Sequence, residues 1–352
     1  MFMERKYTRP VTVGKIGIGG KYPVSIQSML NTKNGDIDEA LKQTAQLKDA
    51  GCDIVRLAVT DQGSIDVIKA LKKEIDIPLV ADIQFDYKMA LASIEAGIDK
   101  VRLNPGNIGN ERRVKEVIAA AKERRVPIRV GVNTGSVSVD IAKKYGRYSP
   151  EGLVYEAKRH IDILENNNFN DIVVSLKASD VNTMIKSYRL MSEKCNYPLH
   201  LGVTEAGPAY TGTIKSSIGI GALLADGIGD TIRVSLTDNP VEEIRAAKEI
   251  LKALDLRQGG SKLISCPTCS RCSIDLINIA KEVEKRLSKI DKSVTVAVMG
   301  CVVNGPGEAS NADIGITGAN GEGLIFKNGK VIKKVKENEI IDELFNEIDR
   351  LF

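Results

Sequence analysis

A repeated alternation between short apolar segments and helical patterns constrains the fold of this chain more than any other feature. Each apolar segment has the length and the β-branched character of a buried strand. Capped helical patterns lie between them, as in Ile37–Ala50 after Asp36 and Pro240–Leu254 after Asn239. The apolar segments are Val24–Met29, Ile54–Val59, Pro78–Ile83, Lys100–Pro105, Pro127–Val132, Asp171–Lys177, Pro198–Glu205 and Thr231–Leu236.

Eight strand–helix units of this size predict an α/β protein whose N-terminal part is a (β/α)8 TIM barrel. A doubly wound open sheet is the alternative, but the Gly-x-Gly-x-x-Gly turn that should follow its first strand is missing. Ahead of the first unit, the alternating residues 8–20 around Gly14 predict a short hairpin.

A second, smaller α/β domain is predicted after the glycine-rich stretch that follows Leu256. The domains would therefore span residues 1–258 and 259–352. The second domain would contain a helix over Ser273–Ile290 and a closing helix over residues 338–352. Its predicted strands are Lys262–Ser265, Val294–Gly300, Ala312–Thr317, Gly323–Phe326 and Val331–Val335, the last two forming a hairpin.

Composition excludes several classes of function. Tryptophan is absent, aromatic residues make up 4% of the chain, and the formal net charge of +4 is not concentrated in a basic tract. Stacking platforms and basic patches for nucleic acid are therefore not expected. No apolar run reaches the length of a transmembrane helix, and the N-terminal residues do not resemble a signal peptide. The sequence predicts a soluble cytoplasmic protein that binds neither nucleic acid nor membranes.

Polar or charged residues occur near the carboxyl end of most of the predicted barrel strands. A barrel brings these ends together at one rim, where active sites are built. Five cations against the two acids Asp82 and Glu205 predict a positive mouth suited to a small polyphosphorylated or diphosphate ligand. Single cations could instead form salt bridges with Asp82, Glu205 or Asp53. The polar residues are Gln27, Arg56, Asp82, Arg102, Asn104, Arg129, Asn133, Lys177, Glu205, Arg233 and Ser235.

Cysteines in two separate loops of the second domain point to a soft metal centre. Cys266, Cys269 and Cys272 follow one another at Cys-x-x-Cys spacing, and Cys301 comes from a distant loop. Thiolates arranged in this way fit a structural zinc ion or an iron–sulfur cluster. Unligated core cysteines remain an alternative, whereas a disulfide is disfavoured in a cytosolic chain. The isolated Cys52 and Cys195 are expected in the core.

The loop Asn304-Gly-Pro-Gly-Glu308 follows Cys301 closely. It carries one carboxylate, Glu308, seven residues after that cysteine. Two glycines and a proline favour a rigid turn that a ligand can approach closely. A carboxylate binds a soft cluster more weakly than a thiolate does, so Glu308 could be exchanged for a substrate oxygen. That behaviour would make the cluster catalytic, whereas a solvated Glu308 is the alternative.

The chain resembles the bacterial 4-hydroxy-3-methylbut-2-enyl diphosphate synthase family, iron–sulfur enzymes of the non-mevalonate isoprenoid pathway. The similarity covers nearly the whole chain. It is carried by residues 81–86 (ADIQFD), 102–107 (RLNPGN), 174–180 (VSLKASD), 204–207 (TEAG), 227–235 (GIGDTIRVS), 266–271 (CPTCSR) and 300–308 (GCVVNGPGE).

The resemblance implies a 4Fe–4S cluster that is held by Cys266, Cys269, Cys301 and Glu308, with Cys272 outside the ligand set. It implies that Glu205 delivers a proton during reductive opening of 2-C-methyl-D-erythritol 2,4-cyclodiphosphate. We expect Asp82 to assist this proton transfer. It also implies a flavodoxin or ferredoxin as electron donor, and a homodimer. The residues that would bind the substrate are Arg56, Arg102, Asn104, Arg129, Asn133, Lys177, Arg233, Ser235 and Asn304.

The chain departs from the family pattern at Gln84, where many relatives have histidine, and at Leu30 and Lys33. Glutamine does not titrate near neutral pH, so Gln84 cannot serve as an acid or base. A non-enzymatic metal-binding protein that senses a phosphorylated metabolite is the alternative function. An electron-transfer protein with four cysteine ligands, including Cys272, is a further one.

Overall fold

The computed structural model of the chain describes residues 4–104, 108, 111–257, 260–290, 292–303, 311–319 and 321–352. The chain divides into two compact units, Met1–Arg257 and Gln258–Phe352. Among the described residues, no helix is both long enough and apolar enough to cross a membrane.

The first unit is a closed barrel of parallel strands, as the sequence predicts. The strands follow the spatial order β8-β7-β6-β5-β4-β3-β10-β9, and a parallel bridge between Val174 and Leu199 joins the two ends of the sheet. The barrel strands are β3 (Ser25–Met29), β4 (Ile54–Val59), β5 (Leu79–Ile83), β6 (Lys100–Leu103), β7 (Ile128–Asn133), β8 (Ile172–Lys177), β9 (His200–Leu201) and β10 (Thr231–Ile232).

Helices surround the barrel and bury their apolar faces against the strands. Asp36 accepts a hydrogen bond from the backbone N–H of Glu39, and Asn239 accepts one from Val241. Such caps satisfy backbone N–H groups that have no partner within the helix. The helices are α1 (Ile37–Asp49), α2 (Gln62–Glu74), α3 (Tyr87–Glu95), α4 (Glu111–Glu123), α5 (Val139–Tyr145), α6 (Pro150–Asn166), α7 (Val181–Lys194), α8 (Ala209–Ala225) and α9 (Pro240–Ala253).

The predicted N-terminal hairpin consists of β1 (Val11–Val13) and β2 (Ile16–Ile18), which pair antiparallel. Its side chains Val13 and Ile18 form a buried apolar cluster with Ile54 and Val80, which begin or nearly begin β4 and β5. This cluster fills the amino-terminal end of the barrel. The carboxyl ends of the strands are thereby left as the end at which a ligand can enter.

Two barrel strands are reduced to two residues each, much shorter than predicted. The segment Pro198–Glu205 forms a strand only over His200–Leu201, and Thr231–Leu236 only over Thr231–Ile232. A β-carbon at Gly202 would lie 2.8 Å from the carbonyl oxygen of Arg233, so the two backbones approach closely there. Beyond this point Glu205 has a left-handed φ of 54°, which ends any regular pairing. The short helix α5 was not predicted.

The second unit is a five-stranded sheet with helices α10 (Leu276–Leu287) and α11 (Ile340–Asp349). Three neighbouring strands are parallel, and the last two add antiparallel. Both helices bury aliphatic side chains, such as Val283 and Leu344, against this sheet. In spatial order, the strands are β11 (Lys262–Ser265), β12 (Thr295–Met299), β13 (Ile314–Ala319), β14 (Glu322–Lys327) and β15 (Lys330–Lys336).

Candidate active site

Two guanidinium groups share one carboxylate inside the barrel. Arg56 Nη2 lies 2.8 Å from Asp82 Oδ2, and Arg102 Nη1 lies 3.1 Å from Asp82 Oδ1. Arg102 also donates to the carbonyl oxygen of Gly131 at 3.2 Å. Strands β4, β5 and β6 are adjacent, so sheet pairing brings these three side chains together. Asp82 thereby fixes the orientation of both guanidinium groups, while their other N–H donors stay available to a ligand.

These contacts argue against the expectation that Asp82 helps to deliver a proton. Burial on its own raises the pKa of Asp82, but Arg56 and Arg102 outweigh burial and hold the pKa below its ordinary value. A carboxyl group in this state is ionised at neutral pH and has no proton to give. The structure instead gives Asp82 the task of orienting two cations.

Arg129 lies deeper than predicted. It is the second residue of β7 rather than a rim residue, and it is fully buried. Among the described residues, none of its three guanidinium nitrogens has a hydrogen-bond partner. An arginine stays charged in proteins, so a buried guanidinium of this kind requires an acceptor such as water or an anion. Arg129 is therefore the residue of the barrel that most directly calls for a bound anion.

Lys177 ends β8 and is 9% exposed. Burial, followed by the charges of Arg56 and Arg129, lowers its pKa well below the ordinary value for lysine. The ammonium form would therefore gain from a nearby negative charge.

Arg233 is held by Glu243, a helix residue outside the predicted site. Its Nη2 and Nε lie 3.2 and 3.3 Å from the two carboxylate oxygens of Glu243, on helix α9. Glu243 also accepts a hydrogen bond from Ser28 Oγ at 2.8 Å. Asp53 was predicted as an alternative salt-bridge partner for the barrel cations. It pairs with Arg257 instead.

The other predicted substrate-binding residues lie at or beyond the carboxyl ends of their strands. Asn104 follows β6 and is 4% exposed, Asn133 ends β7, and Ser235 lies three residues beyond β10. Glu205 is exposed and follows β9 with its left-handed backbone. Asn304 and Glu308 lie outside the described residues.

Two buried titratable residues of the barrel interior, Lys100 and His200, are not predicted by any local sequence pattern. Lys100 follows Asp99 at the start of its strand, where the pattern resembles a solvated turn. Only the pairing of β6 with its neighbours shows that the side chain is enclosed. His200 begins β9, and its Nδ1 lies 3.4 Å from Thr231 Oγ1 on the adjacent strand.

In the second unit, the four cysteines of the two loops line one cavity of about 100 Å³. Cys266 follows β11 and Cys301 follows β12, and these strands are parallel neighbours, so their carboxyl ends present both loops to the same space. Cys266 Sγ accepts a hydrogen bond from the backbone N–H of Gly300 at 3.3 Å. Hydrogen bonds of this kind stabilise a thiolate, so the residues present fit a thiolate-bound metal centre.

The cysteines of the cavity are not equivalent. Cys269 is exposed, whereas the thiol of Cys272 donates to the carbonyl oxygen of Ile274 at 3.2 Å and packs against the core of the unit. The thiol of Cys272 thus already has a hydrogen-bond partner within its own loop. Within the described residues, no three His, Cys, Asp or Glu side chains lie close enough together to hold a single metal ion.

Two family models match the chain almost end to end. The GcpE TIM-barrel domain matches residues 8–248, and the GcpE protein C-terminal domain matches residues 262–350. A solved dihydropteroate synthase from Xanthomonas albilineans covers 71% of this chain and 99% of its own, with 11% identity and a TM-score of 0.50. At that identity the likeness shows the fold of the barrel alone.

Curated relatives are similar over their full length. The protein from Clostridium perfringens is 58% identical over 349 residues, which are 99% of this chain and 100% of the relative. The protein from Geobacter sulfurreducens is 54% identical over 344 residues, 98% of each. Both are named 4-hydroxy-3-methylbut-2-en-1-yl diphosphate synthase (flavodoxin). On these matches, which cover both units, the chain belongs to the GcpE family.

Proposed function

We propose that this protein is a flavodoxin-dependent 4-hydroxy-3-methylbut-2-en-1-yl diphosphate synthase. It would convert 2-C-methyl-D-erythritol 2,4-cyclodiphosphate into (E)-4-hydroxy-3-methylbut-2-enyl diphosphate for isoprenoid biosynthesis. Two electrons enter, the bond between carbon and the bridging phosphate oxygen breaks, and one hydroxyl leaves as water after protonation. The observation that carries the proposal is the cationic barrel interior, in which the buried Arg129 has no hydrogen-bond partner among the described atoms.

The substrate's diphosphate would lie among Arg56, Arg102, Arg129, Lys177 and Arg233. Guanidinium groups bind phosphate oxygens in pairs, and an enclosed site strengthens that attraction. Asp82 and Glu243 fix three of these cations in advance, so little side-chain freedom is lost on binding. As ring opening leaves charge on the diphosphate, the same cations stabilise the transition state. Asn104, Asn133, Ser235 and Asn304 would supply neutral hydrogen bonds.

Glu205 is the candidate acid for the departing hydroxyl. It is exposed at the carboxyl end of the barrel and makes no hydrogen bond to the described residues, so its carboxyl group can turn toward a ligand. A carboxylic acid in that position can protonate a leaving oxygen. Gln84 cannot substitute for it, because an amide does not transfer protons near neutral pH.

The metal centre would be a 4Fe–4S cluster bound by Cys266, Cys269, Cys301 and Glu308. When bound, such a cluster supplies electrons one at a time, which an organic side chain cannot do. Four cysteines from two loops line one cavity, and such a set of thiolates is what a cluster requires.

The relatives' names support flavodoxin as the electron donor, with ferredoxin as the alternative. The protein would act in the cytoplasm as a homodimer. Sedimentation velocity of the purified protein tests the oligomeric state.

Anaerobic reconstitution with iron and sulfide, followed by turnover of the cyclic diphosphate with reduced flavodoxin, tests the assignment. The expected results are a brown protein, about four irons per chain for one cubane cluster, and formation of the linear diphosphate. A colourless, zinc-containing protein or an iron-loaded protein without turnover would point to the non-enzymatic alternatives. An iron-free chain that still converted the substrate would contradict the proposal.

A further inference from the structure

Lys100 lies beneath the proposed diphosphate site and has no part in it. It is the first residue of β6, two positions before Arg102, so both side chains leave the same face of the strand. That face is the barrel interior, because Arg102 bonds there to Asp82 of β5. Lys100 is fully buried, and its Nζ has no hydrogen-bond partner among the described atoms.

The ionisable groups whose charges act on Lys100 from other strands are Arg129 of β7 and Arg56 of β4, and Lys100 in turn acts on the imidazole of His200 on β9. No acid is among these described groups. Asp82, the nearby acid of β5, has both of its oxygens bonded to Arg56 and Arg102. A buried ammonium without an acceptor or counter-charge is costly.

The free protein therefore favours a neutral amine at this position. Burial, and then the charges of Arg129 and Arg56, lowers the pKa of Lys100 well below the ordinary value for lysine. A ligand with two negative charges, bound to Arg129, would reverse this balance because it offsets the cations that oppose protonation. The cyclic diphosphate carries one strongly acidic oxygen on each phosphorus and does not itself titrate near neutral pH.

We propose that Lys100 is a positioning residue that takes up one proton from solvent when the dianionic substrate binds above it, acting through Arg129 and without touching the ligand. The inference rests on the proposed function for the identity of the ligand. The affinity for the substrate would then rise, because protonation of Lys100 adds a positive charge to the barrel when a dianion is bound. A neutral or singly charged ligand would gain less affinity from this proton, so Lys100 would favour doubly charged ligands.

Anaerobic calorimetry of the assembled enzyme, without reductant, tests this proposal. The cyclic diphosphate is titrated at pH 7.5 in buffers of different ionisation enthalpy, which yields the number of protons exchanged. Wild-type enzyme is expected to take up about one proton per ligand bound. Lys100→Met is expected to take up none and to bind roughly tenfold more weakly, since one charge is missing at a distance.

A thermal melt of the ligand-free protein separates this role from a merely structural one. Lys100→Met should melt at the same or a higher temperature, because methionine fills a similar volume without a group that needs an acceptor. A lower melting temperature together with unchanged proton uptake would overturn the proposal. The matched control is Lys122→Met, whose Nζ bonds to the carbonyl oxygen of Asn167 on the barrel exterior.

His200 and Lys177 are the competing proton acceptors. If His200→Gln or Lys177→Met abolishes the uptake while Lys100→Met retains it, the assignment to Lys100 is overturned. Wild-type binding without proton exchange overturns it as well, whereas absence of binding counts against the proposed function instead. If Lys100→Met does not fold, Lys100→Gln takes its place in the same titration.

Discussion

Arg56 Nη2 lies 2.8 Å from Asp82 Oδ2 inside the barrel, where the two residues are 8% and 4% exposed. The pair shapes the site, because the second oxygen of the same carboxylate holds Arg102. One acid thus keeps two cations apart and oriented before any ligand arrives. Such pre-organisation lowers the cost of binding a diphosphate.

Asp82→Asn is expected to lower the free energy of unfolding by about 3–5 kcal/mol, because it leaves two enclosed guanidinium groups without their counter-charge. Urea denaturation at pH 7.5 measures the change. Asp76→Asn should leave the midpoint unchanged, since Asp76 and its partner Lys15 are exposed. An equal effect of both substitutions would contradict the role given to Asp82.

The stabilisation by Asp82 should also depend on pH. The pKa of Asp82 is depressed in the folded protein, so its contribution is fully present above the ordinary carboxyl pKa of about 3.9. The contribution is lost as the pH falls from there through the lower folded value. The difference in unfolding free energy between wild-type protein and Asp82→Asn should therefore shrink on acidification below about pH 4 and stay constant between pH 6 and 8.

Arg233→Ala is expected to weaken binding of the cyclic diphosphate by about 1.5–3 kcal/mol, the usual size of a lost hydrogen bond to a charged group. Calorimetry without reductant measures the affinity. Arg245→Ala is the matched control, because Arg245 pairs with Glu242 on the outer face of the same helix that carries Glu243. Unchanged affinity in Arg233→Ala would remove this residue from the binding site.

Cys272→Ala is expected to keep iron and its brown colour, whereas Cys301→Ala loses both. The reason is that the thiol of Cys272 already bonds to the carbonyl of Ile274, while Cys301 opens onto the cavity from the second loop. Iron content per chain after anaerobic reconstitution decides the matter. A loss of iron in Cys272→Ala would favour the four-cysteine, electron-transfer alternative.

Alkylation of the metal-free protein should distinguish the cysteines by position. Cys269 is exposed and should react first with iodoacetamide, as measured by mass spectrometry at pH 7.5. Cys52 should stay unmodified, because burial raises the pKa of its thiol to about 12. Reconstitution should protect Cys269. Rapid modification of Cys52 in the folded protein would contradict the packing around β4.

Much of this structure could be predicted from local sequence, whereas contacts between residues distant in sequence could not. The strands Ile54–Val59 and Lys262–Ser265 have the predicted bounds, because their apolar runs end at clear turn signals. Arg56 was predicted in the site because a charge inside a buried strand needs a partner. Lys100 and Glu243 were missed because their enclosure depends on sheet closure and on one helix face, neither of which appears in a local pattern.

Glu205 offers a test in which stability and activity should move in opposite directions. Its φ of 54° places a side chain with a β-carbon in the left-handed region, which costs on the order of 1 kcal/mol relative to glycine. Glu205→Gly should therefore raise the free energy of unfolding by about 1 kcal/mol while abolishing turnover. Glu205→Gln keeps the strained backbone but removes the acid, so turnover should fall by about a hundredfold or more at unchanged stability.

Arg125→Gly is the control for the stability gained by relieving a left-handed backbone. Arg125 is exposed and has the same φ of 54°, but it lies just before the amino-terminal end of β7, away from the site. The substitution should stabilise the protein to a similar extent without affecting turnover. Because Arg125 carries the same backbone strain, the strain alone does not mark Glu205 as functional, and the turnover of Glu205→Gln decides whether its carboxyl group is needed. Full turnover in Glu205→Gln would show that the proton comes from elsewhere.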